Sequence, residues 1–128
     1  LNYLSQIIIV GAGGFVGSAL RFVVSGWVQR MVASSVMPYG TFAVNVLGCL
    51  ALDFLGGIAE YRQVIEPGQR LFLMVGILGG FTTFSTFAFE SVSLLQDAEV
   101  TRAFLNIFAQ VTLGFGAAFA GFILARVL

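Results

Sequence analysis

The sequence predicts an all-α membrane protein with four transmembrane helices, the third broken at its centre. Three observations carry this prediction. Of 128 residues, 59% are hydrophobic and only 9% charged, whereas an ordinary soluble domain has about 25% charged residues. Four apolar stretches reach the roughly 20 residues that a helix needs to cross the hydrocarbon layer. Residues 79–87 then read Gly79-Gly80-Phe81-Thr82-Thr83-Phe84-Ser85-Thr86-Phe87, a flexible glycine pair and four hydroxyls inside such a stretch. Non-helical backbone at membrane depth is tolerated only where protein buries it or it lines a wet cavity, so the break marks the expected site.

The four spans are Leu4–Val28, Thr41–Ala59, Leu71–Leu95 and Arg102–Ala125. Punctuating residues separate them: Ser34 through Gly40 with Pro38, Glu60 through Arg70 with Pro67-Gly68, and Gln96 through Glu99. Connectors this short make neighbouring spans antiparallel. Residues 1–128 are therefore expected to form a single four-span transmembrane domain. The first span lacks a basic leader, exceeds a short signal-peptide core and carries Arg21, so it reads as a span and not as a signal peptide.

Composition also excludes several function classes. The formal net charge is zero and no basic run exists, so neither nucleic acid nor a polybasic headgroup site is indicated. There is no histidine and one cysteine, Cys49, which removes an intrachain disulfide and a His/Cys metal site. No nucleophile–base pair is present, so an enzyme is not expected.

Orientation is unusually balanced. Basic residues near span ends are enriched on the cytoplasmic side, yet Arg62, Arg70 and Arg126 fall on the side of the N-terminus and Arg30 and Arg102 on the other. Three against two leaves two readings open: one orientation fixed by other features, or dual insertion with opposite-facing copies paired. Gly13-x-x-x-Gly17, Gly114, Ala117, Ala118 and Gly121 offer faces where helix backbones can approach closely, within or between subunits.

Each polar group inside the membrane has a structural and a functional reading. Arg21 is either a snorkelling anchor or an electrostatic lure for an anion. Asn45, with two amide donors, is either an inter-helix bond or a substitute for water around an anion. Asp53 lies eight residues further along span two and needs a partner, with Arg21 one possibility. Glu90 follows Phe87 by three residues, and Asn106 and Gln110 stand one turn apart on span four, as a donor track or as glue between helices. Phe84 and Phe87 share the face of one helix, and aromatic rings carry a positive edge that suits a small anion.

Together these residues resemble the Fluc-type (CrcB) fluoride channels. The resemblance runs through Gly14-x-x-Gly17-x-x-x-Arg21-Phe22, Gly40-Thr41-Phe42-x-x-Asn45, and Gly76-x-x-Gly79-Gly80-x-Thr82-Thr83-Phe84-Ser85-Thr86-Phe87 to Glu90. It implies an antiparallel, dual-topology homodimer in the membrane lipid, of the bacterial inner membrane, with two fluoride pores. It also implies a structural sodium ion at the dimer centre, held by backbone carbonyls that match Gly79 and Thr82. Phe84 and Phe87 match pore-lining rings and Asn45 the pore asparagine. Arg21 matches the span-one arginine, and Glu90 with Asn106 and Gln110 the outer ion track. Departures are Ala88 where the family often has serine, Asn106 and Gln110 where serine or tyrosine is frequent, and Asp53 where a small or apolar residue is usual.

The expected function is passive export of fluoride. Fluoride is small and strongly hydrated, so a selective pore must return hydrogen bonds to it. Asn45, Thr82, Thr83, Ser85, Thr86 and Arg21 can donate, and narrowness with donor number would set selectivity. The alternative is a small multidrug-type proton-coupled antiporter, which needs a central titrating carboxylate. Span one has none, leaving Asp53 and Glu90 to serve.

Overall fold

The computed structural model describes residues 1–128, all of it helix and short connection. Helix α1 spans Tyr3–Met31, with the Asn2 carboxamide accepting the Ser5 N–H at 2.8 Å as its N-cap. Helix α2 spans Tyr39–Arg62 and ends where Gln63 turns left-handed at φ 53°. The α1–α2 connection is clasped by one side chain. Gln29 donates to the Met37 carbonyl at 3.1 Å and accepts the Gly40 N–H at 3.1 Å.

The third span is composite. Residues 67–81, here α3, begin with a short α-helical turn at Pro67–Arg70, widen into a π-helix over Leu71–Leu78 and return to α-helix at Gly79–Phe81. Thr82 (φ −86°, ψ 158°) and Thr83 (φ −153°, ψ 113°) are extended, and the helix restarts as α4, Phe84–Gln96. Helix α5 runs Val100–Val127. All four spans are long and apolar enough to cross a membrane, and the break falls on Thr82–Thr83 at the end of the expected segment, while Gly79 and Gly80 stay helical and Gly80 packs against the Gly14 backbone.

Each span extends past its expected limits by a few residues, since polar termini continue the helix beyond the hydrocarbon. The largest difference is at Pro67-Gly68, expected in the connector. Proline needs no N–H donor in the first turn of a helix, and the Gln69 side chain accepts the Glu66 N–H at 3.0 Å. The pair therefore opens α3 in place of punctuating a loop.

Two helix contacts organise the bundle. Helix α2 lies along α5, and α1 lies along the π-helical part of α3. The second contact brings backbones together, as the small residues foretold. A Cβ on Gly76 would sit 2.8 Å from the Gly13 Cα, and one on Gly13 would sit 2.9 Å from the Gly76 Cα. The glycine ridge of span one thus packs within the subunit.

Lipid replaces water as the solvent for the outer faces, so the interior need not be apolar. Val44 and Asn106 are the largest fully buried side chains. A carboxamide at the centre is accommodated because it is bonded, as described next.

Candidate functional site

The site is built on the break. In an uninterrupted helix the Thr83 N–H would bond the Gly79 carbonyl one turn back. Here it goes to Asn45 Oδ1 at 2.8 Å, while Asn45 Nδ2 donates to the Thr83 carbonyl at 3.0 Å and to Gln110 Oε1 at 2.8 Å. Asn45 therefore holds both polar groups of one extended residue and is fully engaged as a donor within the chain. Of its two readings, the structure realises the inter-helix bond.

The chain of bonds continues along α5 and back to α4. Gln110 Nε2 donates to Asn106 Oδ1 at 3.2 Å, Asn106 Nδ2 to Ser91 Oγ at 3.0 Å, and Ser91 Oγ to the Phe87 carbonyl at 2.8 Å. Gln110 and Asn106 each keep one amide hydrogen uncommitted, since each amide nitrogen carries two. Glu90 stands apart from this chain. Its Oε1 accepts from Thr41 Oγ1 at 2.8 Å, and its Oε2 is buried without a partner.

Hydroxyls crowd the restart of the helix. Thr83 Oγ1 accepts the Thr86 N–H at 3.2 Å, donates to Thr86 Oγ1 at 3.0 Å and lies 3.4 Å from Ser85 Oγ. The cap satisfies one of the orphaned amides of α4. Thr82 turns the other way, its hydroxyl donating to the Leu78 carbonyl at 3.1 Å. Beneath it lies Gly48, where any Cβ would collide with the Thr82 methyl.

Asn45, Thr82, Thr83, Phe84, Phe87 and Gln110 meet around one groove of about 370 Å³, with Cys49, Asp53 and Gly114 among its other walls. The Phe84 and Phe87 rings stand 5.7 Å apart at 69°, edge towards face. They do not share an environment: Phe87 is 9% exposed and Phe84 79%. Ser85, Thr86, Glu90, Asn106 and Arg21 lie outside the groove's walls. Arg21 reaches the break from α1, Nη1 lying 3.4 Å from the Thr82 carbonyl. It forms no ion pair with Asp53, for the chain's one ion pair joins Arg102 to Glu99.

The carbonyls at the break suit a hard cation. Interrupting the ladder removes the donor that a continuous helix would bring to Gly79, and the Thr86 N–H due to Thr82 is taken by the Thr83 hydroxyl. Backbone oxygens are the donors such ions prefer. The Thr82 oxygen has two lone pairs, of which Arg21 uses one.

Ser91, a member of the network, and Thr41, the partner of Glu90, were not among the predicted site residues. Ser91 lies one turn beyond Phe87, and Thr41 one turn before Asn45. Helical spacing from residues already singled out was the available signal for both.

The fold and site define a four-span integral membrane protein with a polar groove at an interrupted helix. The family profile described as "CrcB-like protein, Camphor Resistance (CrcB)" matches residues 8–122. A protein of Maridesulfovibrio salexigens named "Fluoride-specific ion channel FluC" is 41% identical over 125 residues, covering 98% of both chains. Relatives of the same name in Chlorobium chlorochromatii and Rhizobium meliloti are 40% and 38% identical, covering 95% and 98% of this chain and 93% and 99% of theirs. The chain belongs to the CrcB family.

Proposed function

We propose that this chain is a passive, fluoride-selective ion channel that lets fluoride leave the cytoplasm down its electrochemical gradient. The observation that carries the reading is the groove at the break, where hydroxyl and amide groups converge beside two phenylalanine rings. Family membership and the printed name of the relatives support it. The antiporter alternative is not favoured by those names.

The working unit would be an antiparallel homodimer of oppositely inserted copies in the bacterial inner membrane, with 1–128 as its single channel domain. The balanced arginines and the exposure of Phe84 at the rim of the groove support a second copy. Gly79 and Thr82 carbonyls from both copies would hold a structural sodium ion, which would offset anion charge nearby and pin the broken backbones. Arg21, bonded to the Thr82 carbonyl, would bring positive charge to the same point.

Fluoride would exchange water for donors along the groove. With Asn45 spent on the backbone, the remaining amide hydrogen of Gln110 and the ring edges of Phe84 and Phe87 would line the groove, while Asn106, Ser85 and Thr86, which lie outside its walls, would serve the track beyond it. Glu90 with Thr41 would mark the outer end of the track. A larger, softer anion gains less from such donors, so chloride would be excluded.

Reconstituted vesicles loaded with fluoride, followed with a fluoride electrode, test the reading. Fast fluoride release with negligible chloride release is expected. Equal rates would reject selectivity, and no release would reject the channel.

A further inference from the structure

Asp53 is a carboxylate at membrane depth that none of the interactions above engages. It sits on α2 nine residues before Arg62 and eight after Asn45. Its side chain is part-buried and makes no ion pair. It lines the groove beside Asn45 and Gln110, and it also lines a second cavity of about 360 Å³ with Glu60 and Arg70. Glu60 and Arg70 carry opposite charges, so Asp53 supplies the net charge where the two cavities adjoin.

We propose that Asp53 is a rate-setting residue of the ion path: its negative charge at the end of the groove repels fluoride and limits throughput. This rests on the channel reading above. The mechanism is electrostatic. Eight helical residues place Asp53 about 12 Å from Asn45 along the axis. At that distance a unit charge, acting through an effective dielectric between roughly 20 and 80, changes the occupancy of an anion by about two- to ten-fold. The same wall holds Cys49 and Leu52, uncharged neighbours that cannot cancel it.

The test is fluoride release from vesicles containing the full chain or Asp53→Asn, Asp53→Ser and Asp53→Glu, each checked for unchanged elution on size exclusion. Ionic strength is varied with sodium gluconate, whose large anion does not permeate. At about 0.01 M the screening length is ~30 Å and at 1 M ~3 Å. Asp53→Asn and Asp53→Ser should release fluoride about two- to ten-fold faster than the unaltered chain at low salt. That advantage should shrink at high salt, since a part-buried charge is screened less than an exposed one, and Asp53→Glu should match the unaltered chain throughout. If either neutral variant folds, equal or slower release at low salt overturns the proposal, as does an advantage that grows with salt. Absence of fluoride release from the unaltered chain overturns the channel reading itself, and the proposal with it.

Discussion

Asn45 grips Thr83 by both backbone groups, accepting its N–H at 2.8 Å and donating to its carbonyl at 3.0 Å across 38 residues of sequence. One side chain from α2 thereby does for an extended residue of the third span what a helix does for its own members. Asn45→Ala strands both groups in a low-dielectric interior, at a cost of about 2–4 kcal/mol. Thermal unfolding in detergent should show the loss, and fluoride release should fall with it. Asn45→Asp keeps the acceptor alone and should fall between the two. Native stability in Asn45→Ala would show that the clamp is dispensable.

The two phenylalanines separate stability from conduction. Phe84 is largely exposed and Phe87 buried, so Phe84→Ile should leave the unfolding midpoint of the monomer nearly unchanged while Phe87→Ile lowers it. Both should slow fluoride release by roughly ten-fold or more, which corresponds to about 1.4 kcal/mol on the barrier. Unchanged release in both variants would remove the rings from the path.

Contact between α1 and the π-helical segment gives a packing prediction. Gly13→Ala pushes a methyl into the Gly76 backbone and should destabilise the protein by about 1–3 kcal/mol. Gly11→Ala meets nothing within 4 Å and should be neutral or slightly stabilising, because alanine is the better helix former. Equal unfolding midpoints for the two variants would contradict this helix contact.

The proposed sodium ion at the break, and the proposed homodimer around it, make a prediction of their own. Replacing sodium with a large organic cation should abolish fluoride release and lower the stability of the dimer, and returning sodium should restore both. Release that is indifferent to the cation would remove sodium from the assembly.

The spans were legible in the sequence because about 20 consecutive apolar residues have few other uses. The break was legible too, since Gly79-Gly80 and the hydroxyls after it disagree with their surroundings. The π-helix was not. Leu71–Leu78 is uniformly apolar except for Gly76, and nothing in such a run distinguishes a five-residue hydrogen-bond spacing from a four-residue one. Long-range pairing was equally hidden: Asn45 is conspicuous as an amide in an apolar span, but only the fold reveals that it holds main chain. Arg21 was one possible partner for Asp53 by charge, yet the two form no ion pair and Arg21 Nη1 lies 3.4 Å from the Thr82 carbonyl. Ser91 escaped notice because serine in a membrane helix usually bonds its own preceding turn, as it does here to Phe87.

Severing the third span at Thr82–Thr83 doubles the number of its termini, and the new pair lies in the bilayer interior. Residues 67–81 end there on unpaired oxygens, the electronegative pole of their macrodipole, while Phe84–Gln96 begins there on amide hydrogens, the electropositive pole of its own. Two peptide units thus set opposite partial charges side by side, in a medium that screens neither. Each pole is met from within the chain in kind, the first by the Arg21 guanidinium at the Thr82 carbonyl and the second by the Thr83 hydroxyl oxygen at the Thr86 N–H, so charge complementarity is built into one short stretch of backbone.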